Sequence, residues 1–457
     1  MVFKIFTMDG SVKRWLLILF LLACAVRLGW VTIRYAPEDR WQSLEYPDEQ
    51  AYWSAARSLA AGEGLVDEFG FRATYMPAYP AFLAVFTWFA QPLFWARIGQ
   101  AIAGAWIAPA TYLLARRWAL LIITKRCRHS DKPAGRPGIV GGASDDVASH
   151  AISPNPNVAW PIEHVIAILA GAAAAVDPFL IFFSGLLLTE TLFAAALVTA
   201  WMFVLPTVDR RKAIHLGPVV AAGLFLTLCV MLRPSAIVLV LAGPLAILVS
   251  RRCDSASIMM GVGISAFVFV GLSPWAVRNH ATIGQWQFLT TRGGISLYDG
   301  LREDADGASD LAHTKTLPDV TGLNEIEWDR YFRAKAWAAV RRDPVQVLSL
   351  GWKKLLRTWS LRPNVAHYRQ GVIAQVAAFW MMLLVVLALL GWWFARRAIA
   401  AWFMLLLPVA CITLLHMVFV GSVRYRVPLM PMIMVFSAAG VVGLWKRMGS
   451  GRHGGHG

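Results

Sequence analysis

Long apolar stretches alternate with short basic segments along most of this 457-residue chain. An apolar stretch of about 20 residues is long enough to cross a bilayer as a helix, and the pattern predicts ten such spans. Their approximate bounds are 15–33, 95–114, 162–183, 190–208, 216–232, 235–250, 257–277, 373–394, 399–419 and 427–445. The pattern therefore predicts an all-α polytopic membrane protein.

One apolar piece, 81–94, lies between Pro80 and Pro92 and is shorter than a span needs. If it crossed the bilayer, the basic segment 116–136 would lie outside, against the positive-inside rule. We therefore predict a helix that belongs to the outer loop 34–94 and does not cross. Within the third predicted span, 162–183, Asp177-Pro178 predicts a helix break.

Basic clusters between the spans place both termini in the cytoplasm and two large loops outside. We predict three regions. Residues 1–277 form a membrane module, with the outer loop 34–94 and a flexible cytoplasmic insertion at 118–160. Residues 278–371 form a second outer loop that is loop-like at first and carries amphipathic helices at about 324–358. Residues 372–457 form three more spans and a cytoplasmic tail.

Composition excludes a soluble protein, because 58% of residues are hydrophobic, 15% are charged and the mean hydropathy is +0.55. The formal charge of +16 invites a nucleic-acid partner. However, the Lys and Arg residues lie in short clusters between apolar spans, which is typical of topology signals and of contact with lipid headgroups. We therefore expect membrane lipids as partners and no nucleic acid.

Candidate chemistry begins directly after the first span, at Tyr46-Pro47-Asp48-Glu49. Asp48 follows a proline where a helix N-cap is expected, Glu49 follows in the first turn, and Gly62 ends the helix. Two carboxylates beside a membrane suggest acid–base chemistry. The alternative is a capped interfacial helix without chemistry.

The predicted outer face also collects several basic residues and a second carboxylate. Arginines bind phosphate through charge-assisted hydrogen bonds, while a carboxylate deprotonates an attacking group. We predict Asp48, Glu49 and Glu190 as catalytic residues. The predicted substrate-binding residues are Tyr52, Arg233, Arg278, Asn279, His280, Arg424, Tyr425 and Arg426.

Each assignment has a structural alternative. Glu190 is also in a position to cap the next span. Arg233 is also in a position to act as a snorkelling anchor at the end of its span. Headgroup anchoring is the alternative for Arg424 and Arg426. His416, within a span, is more typical of a packed residue than of a catalytic one.

Ordered short motifs along the chain resemble GT-C fold glycosyltransferases, and family 39 in particular, which includes the protein O-mannosyltransferases and the lipid A aminoarabinose transferase. These motifs cover most of the chain between 46 and 431 and include Pro-Asp-Glu-x-x-Tyr at 47–52, Met76-Pro77-Ala78-Tyr79-Pro80, Asp177-Pro178, Leu188-Thr189-Glu190, Leu232-Arg233-Pro234, Pro274-Trp275-x-x-Arg278-Asn279 and Arg424-Tyr425-Arg426-x-Pro428.

The resemblance implies that residues 1–277 are a GT-C catalytic module using a polyprenyl-phosphate-linked sugar donor. It implies inversion at the sugar carbon, Asp48 as general base, and Glu190 as the second acidic position. By the same analogy Arg278, Arg424 and Arg426 hold the donor phosphate. The acceptor, on the outer face, is a lipid, a glycan or a protein.

Two departures from the family bear on chemistry. The aminoarabinose transferases carry a lysine where this chain has Met76, which argues against the same acceptor. The second outer turn has no Asp-x-Asp motif, so we expect no metal and no other cofactor.

Two other functions stay open at this level, a flippase for lipid-linked glycans and a noncatalytic subunit of an envelope assembly complex. A transporter favours inverted repeats and ionisable residues at the midplane, and neither is evident. The outer loops lack Asn-x-Ser/Thr sequons, which favours a bacterial inner membrane with the active site facing outward.

Overall fold

The computed structural model of the protein describes residues 9–35, 37–130, 161–209, 215–311, 320, 322–365 and 368–451. Most of the predicted cytoplasmic insertion, at 131–160, and the end of the predicted tail, at 452–457, lie outside these ranges. Within the described ranges the regular structure is helical and contains no β-strand.

The N-terminal part of the chain forms nine α-helices among the described residues. They are α1 Gly10–Tyr35, α2 Glu38–Trp41, α3 Pro47–Ala60, α4 Ala78–Ala84, α5 Pro92–Ala105, α6 Ile107–Ser130, α7 Ile162–Val176, α8 Pro178–Ser184 and α9 Glu190–Val204. Short 3₁₀ helices continue two of them, at Val85–Trp88 and Leu205–Val208.

The rest of the described chain forms ten more helices. They are α10 Leu216–Leu232, α11 Ile237–Ser250, α12 Ser255–Ile283, α13 Gly293–Leu301, α14 Glu325–Arg342, α15 Pro344–Thr358, α16 Val372–Ala395, α17 Ile399–Val418, α18 Val423–Arg426 and α19 Met430–Gly451. Two further 3₁₀ segments lie at Pro234–Ala236 and Val427–Leu429.

Seven helical stretches of the described chain are long and apolar enough to cross a membrane. They are Gly10–Tyr35, Pro92–Ile123, Glu190–Val208, Ser255–Ile283, Val372–Ala395, Ile399–Val418 and Val423–Met448. The bent pair α7 and α8 makes an eighth, and the shorter apolar helices Leu216–Leu232 and Pro234–Ser250 lie where the fifth and sixth spans are predicted. The prediction of an all-α polytopic membrane protein is confirmed.

Large apolar side chains cover the outward faces of several spans, as expected of helices in contact with lipid. On α16 the exposed side chains include Val372, Ile373, Val376, Phe379, Val386 and Leu389. Its opposite face packs mainly on α19. The same division between an exposed apolar face and a packed face recurs on α12.

The predicted break at Asp177 is confirmed, since α7 and α8 meet there at 47°. Asp177 Oδ1 accepts a hydrogen bond from the Leu180 amide at 2.8 Å and so caps α8. Its Oδ2 accepts from Trp380 Nε1 at 2.7 Å. Pro178 has no N–H to continue the previous helix, and the carboxylate satisfies an amide that the break leaves unpaired.

Helices of both outer loops lie where the sequence predicts them. The apolar piece after Pro80 forms only the short helix α4 and a 3₁₀ turn before the next span begins at Pro92. The predicted amphipathic helices are present as α14 and α15, and α15 exposes an apolar stripe of Val345, Leu348, Trp352 and Leu356.

The prediction that the first part of the second outer loop is loop-like is wrong over Gly293–Leu301, which forms the helix α13. Its backbone lies directly against α14. A Cβ atom on Gly294 would lie 2.0 Å from the carbonyl oxygen of Asp329. The lack of a side chain at Gly294 therefore permits the two helices to pack closely.

Glu190 begins α9 at one end of the helix bundle, and the turn between α11 and α12 lies at the opposite end. Arg251 Nη1 donates to the carbonyl oxygens of Thr207 at 3.1 Å and Asp209 at 2.9 Å, at the far end of that helical segment. Cys253 lies exposed in this turn. The positive-inside rule predicts that this end faces the cytoplasm.

We expect Cys253 to be accessible only from the cytoplasm. In a variant whose other four cysteines are replaced by serine, a membrane-impermeant maleimide should label Cys253 only after the membrane is permeabilised. Glu63→Cys, at an exposed outer-loop position, should be labelled in intact spheroplasts of a cysteine-free variant. Labelling of Cys253 in intact spheroplasts would reverse the orientation.

Candidate active site

A chain of ion pairs joins four segments that are far apart in sequence. Arg424 Nη1 contacts Asp48 Oδ2 at 2.6 Å, and its Nε contacts Glu190 Oε1 at 2.6 Å. The same Glu190 oxygen accepts from Arg233 Nη1 at 3.0 Å. Two carboxylates and two guanidinium groups therefore form one connected network at the predicted outer end of the spans.

Asp48 lies in the first turn of α3. The expectation that it is the N-cap is wrong, because the helix begins at Pro47 and Tyr46 is the N-cap residue. Proline suits the first helical position, where no amide donor is needed. The positive end of the helix dipole still favours a carboxylate at Asp48. No capping bond occupies the Asp48 carboxylate, which reaches Arg424 instead.

Glu49, the next residue, has a different environment. Its carboxylate accepts hydrogen bonds from the amides of Glu45 at 2.8 Å, Tyr46 at 3.0 Å and Leu187 at 2.7 Å. The side chain is completely buried, whereas that of Asp48 borders a cavity. Glu49 therefore caps α3 and ties it to the segment that precedes Glu190.

The segment before Glu190 is fixed from α5 as well. Arg97 Nε donates to the Gly185 carbonyl at 3.1 Å. Gln100 Nε2 donates to the Ser184 carbonyl at 3.1 Å, while its Oε1 accepts from Tyr79 at 2.7 Å. Both side chains are fully buried. These bonds satisfy backbone carbonyls where α8 ends and fix the position from which α9 starts.

Glu190 is fully buried and is the first residue of α9. Its Oε1 atom accepts from both arginines, whereas Oε2 has no hydrogen-bond partner among the described residues. A buried carboxylate is stable only when opposite charges or donors compensate it. The helix N-terminus and the two guanidinium groups provide that compensation.

The arginines share an aromatic support. Arg233 lies 5.1 Å and Arg424 5.6 Å from the Tyr425 ring centroid. His416 stacks on the same ring at 3.7 Å with an interplanar angle of 11°, and its Nδ1 lies 3.1 Å from the Val420 carbonyl. Tyr425 therefore holds both guanidinium groups in position through cation–π contacts.

The network opens onto a cavity of about 650 Å³, called here the polar cavity. Its walls combine charged, hydroxyl and apolar groups. Five predicted site residues line it, namely Asp48, Tyr52, Arg233, Arg424 and Tyr425. The Asp48 side chain retains 41% of its accessible surface, so its carboxylate is available to a bound molecule.

Arg278 lies outside this cavity. Its Nη1 donates to the Arg72 carbonyl at 2.6 Å and its Nη2 to the Leu65 carbonyl at 3.3 Å. The guanidinium also lies over the Trp275 ring, 5.0 Å from the centroid. Arg278 therefore joins the end of α12 to the first outer loop.

The two residues after Arg278 are also placed elsewhere. Asn279 is fully buried, and its Nδ2 donates to the Gln287 carbonyl at 2.8 Å. His280 stacks on Trp286 with 4.5 Å between the ring centroids and 4° between the planes. Both residues hold the turn that follows α12 rather than lining the polar cavity.

Arg426 is fully buried. It donates to the carbonyl oxygens of Thr358, at 3.4 Å, and Ser360. Its guanidinium lies 4.9 Å from the Phe179 ring centroid. These contacts connect the end of α15 to α8 and leave Arg426 outside the polar cavity.

Residues that sequence reasoning did not select also line the polar cavity, including Arg292, Arg333, Tyr75 and the weighed but unselected His416. Arg292 Nη1 donates to the Tyr75 hydroxyl at 2.7 Å. Tyr75 packs against Tyr52 with 5.3 Å between ring centroids. The motif Arg292-Gly293-Gly294, an arginine followed by two glycines, is a weak sequence signal of a binding site.

Glu325 joins the two outer loops above the cavity. Its carboxylate accepts from the amides of Arg72 at 3.1 Å and Ala73 at 3.0 Å, and from the Thr291 hydroxyl at 2.8 Å. Glu325 is 6% exposed. Because Thr291 precedes Arg292, this carboxylate sets where the Arg292 side chain enters the cavity.

The electrostatic field at Asp48 favours its ionised form. Burial opposes the charge, but the ion pair with Arg424 outweighs it and lowers the pKa of Asp48 below its ordinary value. Arg292 and Arg233 lower it further. Asp48 is therefore a carboxylate at neutral pH.

A second, apolar groove adjoins the network. It encloses about 140 Å³ and is lined mostly by hydrophobic side chains, among them Phe179, Phe182, Phe183, Leu186, Leu188, Val365, Ile373 and Ala377. Arg424 lines both this apolar groove and the polar cavity. A single guanidinium therefore lies where the two spaces approach one another.

Among the described residues, no group of three or more His, Cys, Asp or Glu side chains is arranged to hold a metal ion.

Two solved structures that resemble the chain are both of ArnT from Cupriavidus metallidurans. ArnT is a GT-C lipid A aminoarabinose transferase, the group that the sequence motifs resemble. The structure bound to undecaprenyl phosphate has 15% sequence identity and a TM-score of 0.36, over 94% of this chain and 78% of its own. The apo structure has 15% identity and a TM-score of 0.37, over 95% and 78%.

No protein-family profile matches the chain, and no curated protein shows significant similarity to it. Both measures of likeness to ArnT are low, so the likeness says nothing about this chain's substrates.

We expect Glu190→Gln to destabilise the fold by about 3 kcal/mol, because removing one partner leaves buried charge uncompensated. Here two guanidinium groups would lose their shared anion. Thermal unfolding of the purified protein in detergent measures the effect. The control is Glu63→Gln, because Glu63 is exposed and is not part of this network. It should leave the unfolding midpoint unchanged. Equal midpoints for the two variants would show that the network does not stabilise the fold.

Proposed function

We propose that this protein is an integral-membrane glycosyltransferase that moves a sugar from a polyprenyl-phosphate donor to an acceptor on the outer face. The observation that carries the proposal is the Asp48 carboxylate, accessible in the polar cavity and directly paired with Arg424. A base beside a phosphate-binding guanidinium is the minimal arrangement for transfer from a glycosyl phosphate.

The position of Arg424 supports a lipid-borne donor. A guanidinium group presents a fork of N–H donors that matches phosphate oxygens. Arg424 borders the polar cavity on one side and the apolar groove on the other. A donor phosphate near Arg424 and Arg233 would have room for its sugar in the cavity and for the start of its isoprenoid chain in the groove.

The chemistry follows from competition for Arg424. In the structure Arg424 is shared between Asp48 and Glu190. A bound phosphate that takes up donors of Arg424 frees Asp48 to accept a proton from the acceptor hydroxyl. The acceptor oxygen then bonds to the sugar carbon while the bond from that carbon to the phosphate oxygen breaks.

The electron pair of the broken bond leaves with the phosphate, and the proton resides on Asp48. Attack opposite to the leaving phosphate inverts the sugar carbon. Arg233 and Arg424 stabilise the charge that develops on the phosphate, as electrostatic catalysis requires. Glu190 acts by orienting both arginines and does not need to touch substrate.

The proposed location is a bacterial inner membrane, with the polar cavity on the outer side. The network lies at the end of α9 opposite to the basic turn at Arg251. The positive-inside rule then places the cavity outside.

We expect Asp48→Asn to lower turnover by roughly 100-fold or more, since it removes the base with little change in shape. The assay uses purified protein in liposomes with a panel of undecaprenyl-phosphate sugars and follows loss of the lipid-linked sugar. Asp304→Asn is the matched control, because Asp304 is an exposed outer-loop aspartate that does not line the cavity.

Equal turnover by wild type and Asp48→Asn would exclude Asp48 as the base. A wild type that turns over no donor but moves a lipid-linked glycan between leaflets would favour the flippase alternative.

The depressed pKa of Asp48 predicts the acid side of the pH profile. Only the ionised carboxylate accepts a proton, so kcat/KM should hold down to about pH 4, the ordinary aspartate value, and fall below it. In Arg424→Gln, burial of Asp48 remains and its ion pair is lost, so this fall should begin at higher pH. A fall at the same pH in both proteins would assign the titration to another group.

A further inference from the structure

The charges around the polar cavity are not evenly matched. Asp48 and Glu190 pair with Arg424 and Arg233, which balances two anions against two cations. A third carboxylate, Asp299, also lines the cavity, but both of its oxygens accept hydrogen bonds from neighbouring loop residues. Arg292 also lines the cavity, yet among the described residues it forms no ion pair with a carboxylate. A partly buried cation that forms no ion pair is an attractive site for an external anion.

The Arg292 side chain is held by a neutral group. Its Nη1 donates to the Tyr75 hydroxyl, and its guanidinium lies 5.4 Å from the Tyr75 ring centroid. A guanidinium carries five N–H donors, and this bond uses one of them. The backbone beside it is fixed, since the Thr291 amide donates to the Ala73 carbonyl at 3.0 Å.

Arg333, on α14, supplies a second cation to the same side of the cavity. It is held by Asp329 at 2.6 Å, and its side chain remains 54% exposed. Asp329 is itself oriented by the Gly294 amide at 2.5 Å. A Cβ on Gly293 would lie 3.5 Å from Arg333 Nη2, so Arg333 lies beside the residue that follows Arg292.

We propose that Arg292 and Arg333 form a second anion-binding subsite, separate from Arg233 and Arg424, that takes an anionic group of the acceptor. A phosphate or a carboxylate fits this chemistry. Ser296 lines the same cavity and adds a hydroxyl group. This inference deepens the proposed function, because it presumes a donor phosphate at the first pair of arginines.

Two observations assign this subsite to the acceptor rather than to the donor. Neither Arg292 nor Arg333 lines the apolar groove, where the donor's isoprenoid chain is proposed to begin. Arg292 is also close enough to Asp48 to lower the pKa of that carboxyl. An anionic group near Arg292 would therefore bring the rest of its molecule to the proposed base.

The test measures binding rather than turnover. Thermal stability of the full-length protein is followed first with undecaprenyl phosphate and then, on lipid-saturated protein, with inorganic phosphate. Ligands that bind the folded state raise its stability according to their affinity. The variants are Arg292→Gln and Arg333→Gln, and the matched control is Arg330→Gln, an exposed arginine of α14 that does not line the cavity.

We expect inorganic phosphate to stabilise lipid-saturated wild type and Arg330→Gln equally. Arg292→Gln and Arg333→Gln should weaken this effect by about 10- to 100-fold in apparent Kd, the range for losing a charge-assisted hydrogen bond. Both variants should bind undecaprenyl phosphate as wild type does, which also shows that they are folded.

Three results would overturn the second subsite. They are competition of inorganic phosphate with undecaprenyl phosphate in place of binding beside it, equal stabilisation of every variant by inorganic phosphate, and loss of the lipid by Arg292→Gln as strong as its loss of the ion. If wild type binds inorganic phosphate through Arg292 but does not bind undecaprenyl phosphate, the proposed donor fails and the subsite stands.

Discussion

A fully buried carboxylate at Glu190 fixes the arrangement of the proposed active site. An isolated charge in such surroundings would be unstable, so Arg233 and Arg424 must both reach it. These two arginines come from separate spans, and Arg424 brings Asp48 into the same network. The position of the proposed base therefore depends on a carboxylate that does not line the cavity itself.

Much of the surrounding polar structure serves to hold that carboxylate. Glu49, Arg97 and Gln100 all bond to the backbone just before α9. Their buried groups satisfy amides and carbonyls where the chain is irregular at the end of the spans. Irregular backbone at this depth is tolerated only where protein groups pair with it or it borders a cavity. Leu186 and Leu188 of this reinforced segment line the apolar groove.

The two outer loops complete the cavity rather than merely connecting spans. Glu325 binds the backbone of the first loop and the Thr291 side chain of the second. This places Arg292 and its tyrosine partner over the network formed by the membrane helices. The cavity consequently has Arg424, which also borders the apolar groove, and, on its loop side, Arg292 and Arg333, which do not.

The sequence by itself determined the ten apolar helices, the break at Asp177 and the candidacy of Asp48, because hydrophobic periodicity and helix-end chemistry are local. It did not separate Asp48 from Glu49, or Arg424 from Arg426. Successive helical residues point about 100° apart, so neighbours with the same charge face different surroundings. Only the tertiary structure decided that Asp48 and Arg424 meet across 376 positions of sequence, while Glu49 and Arg426 bind backbone.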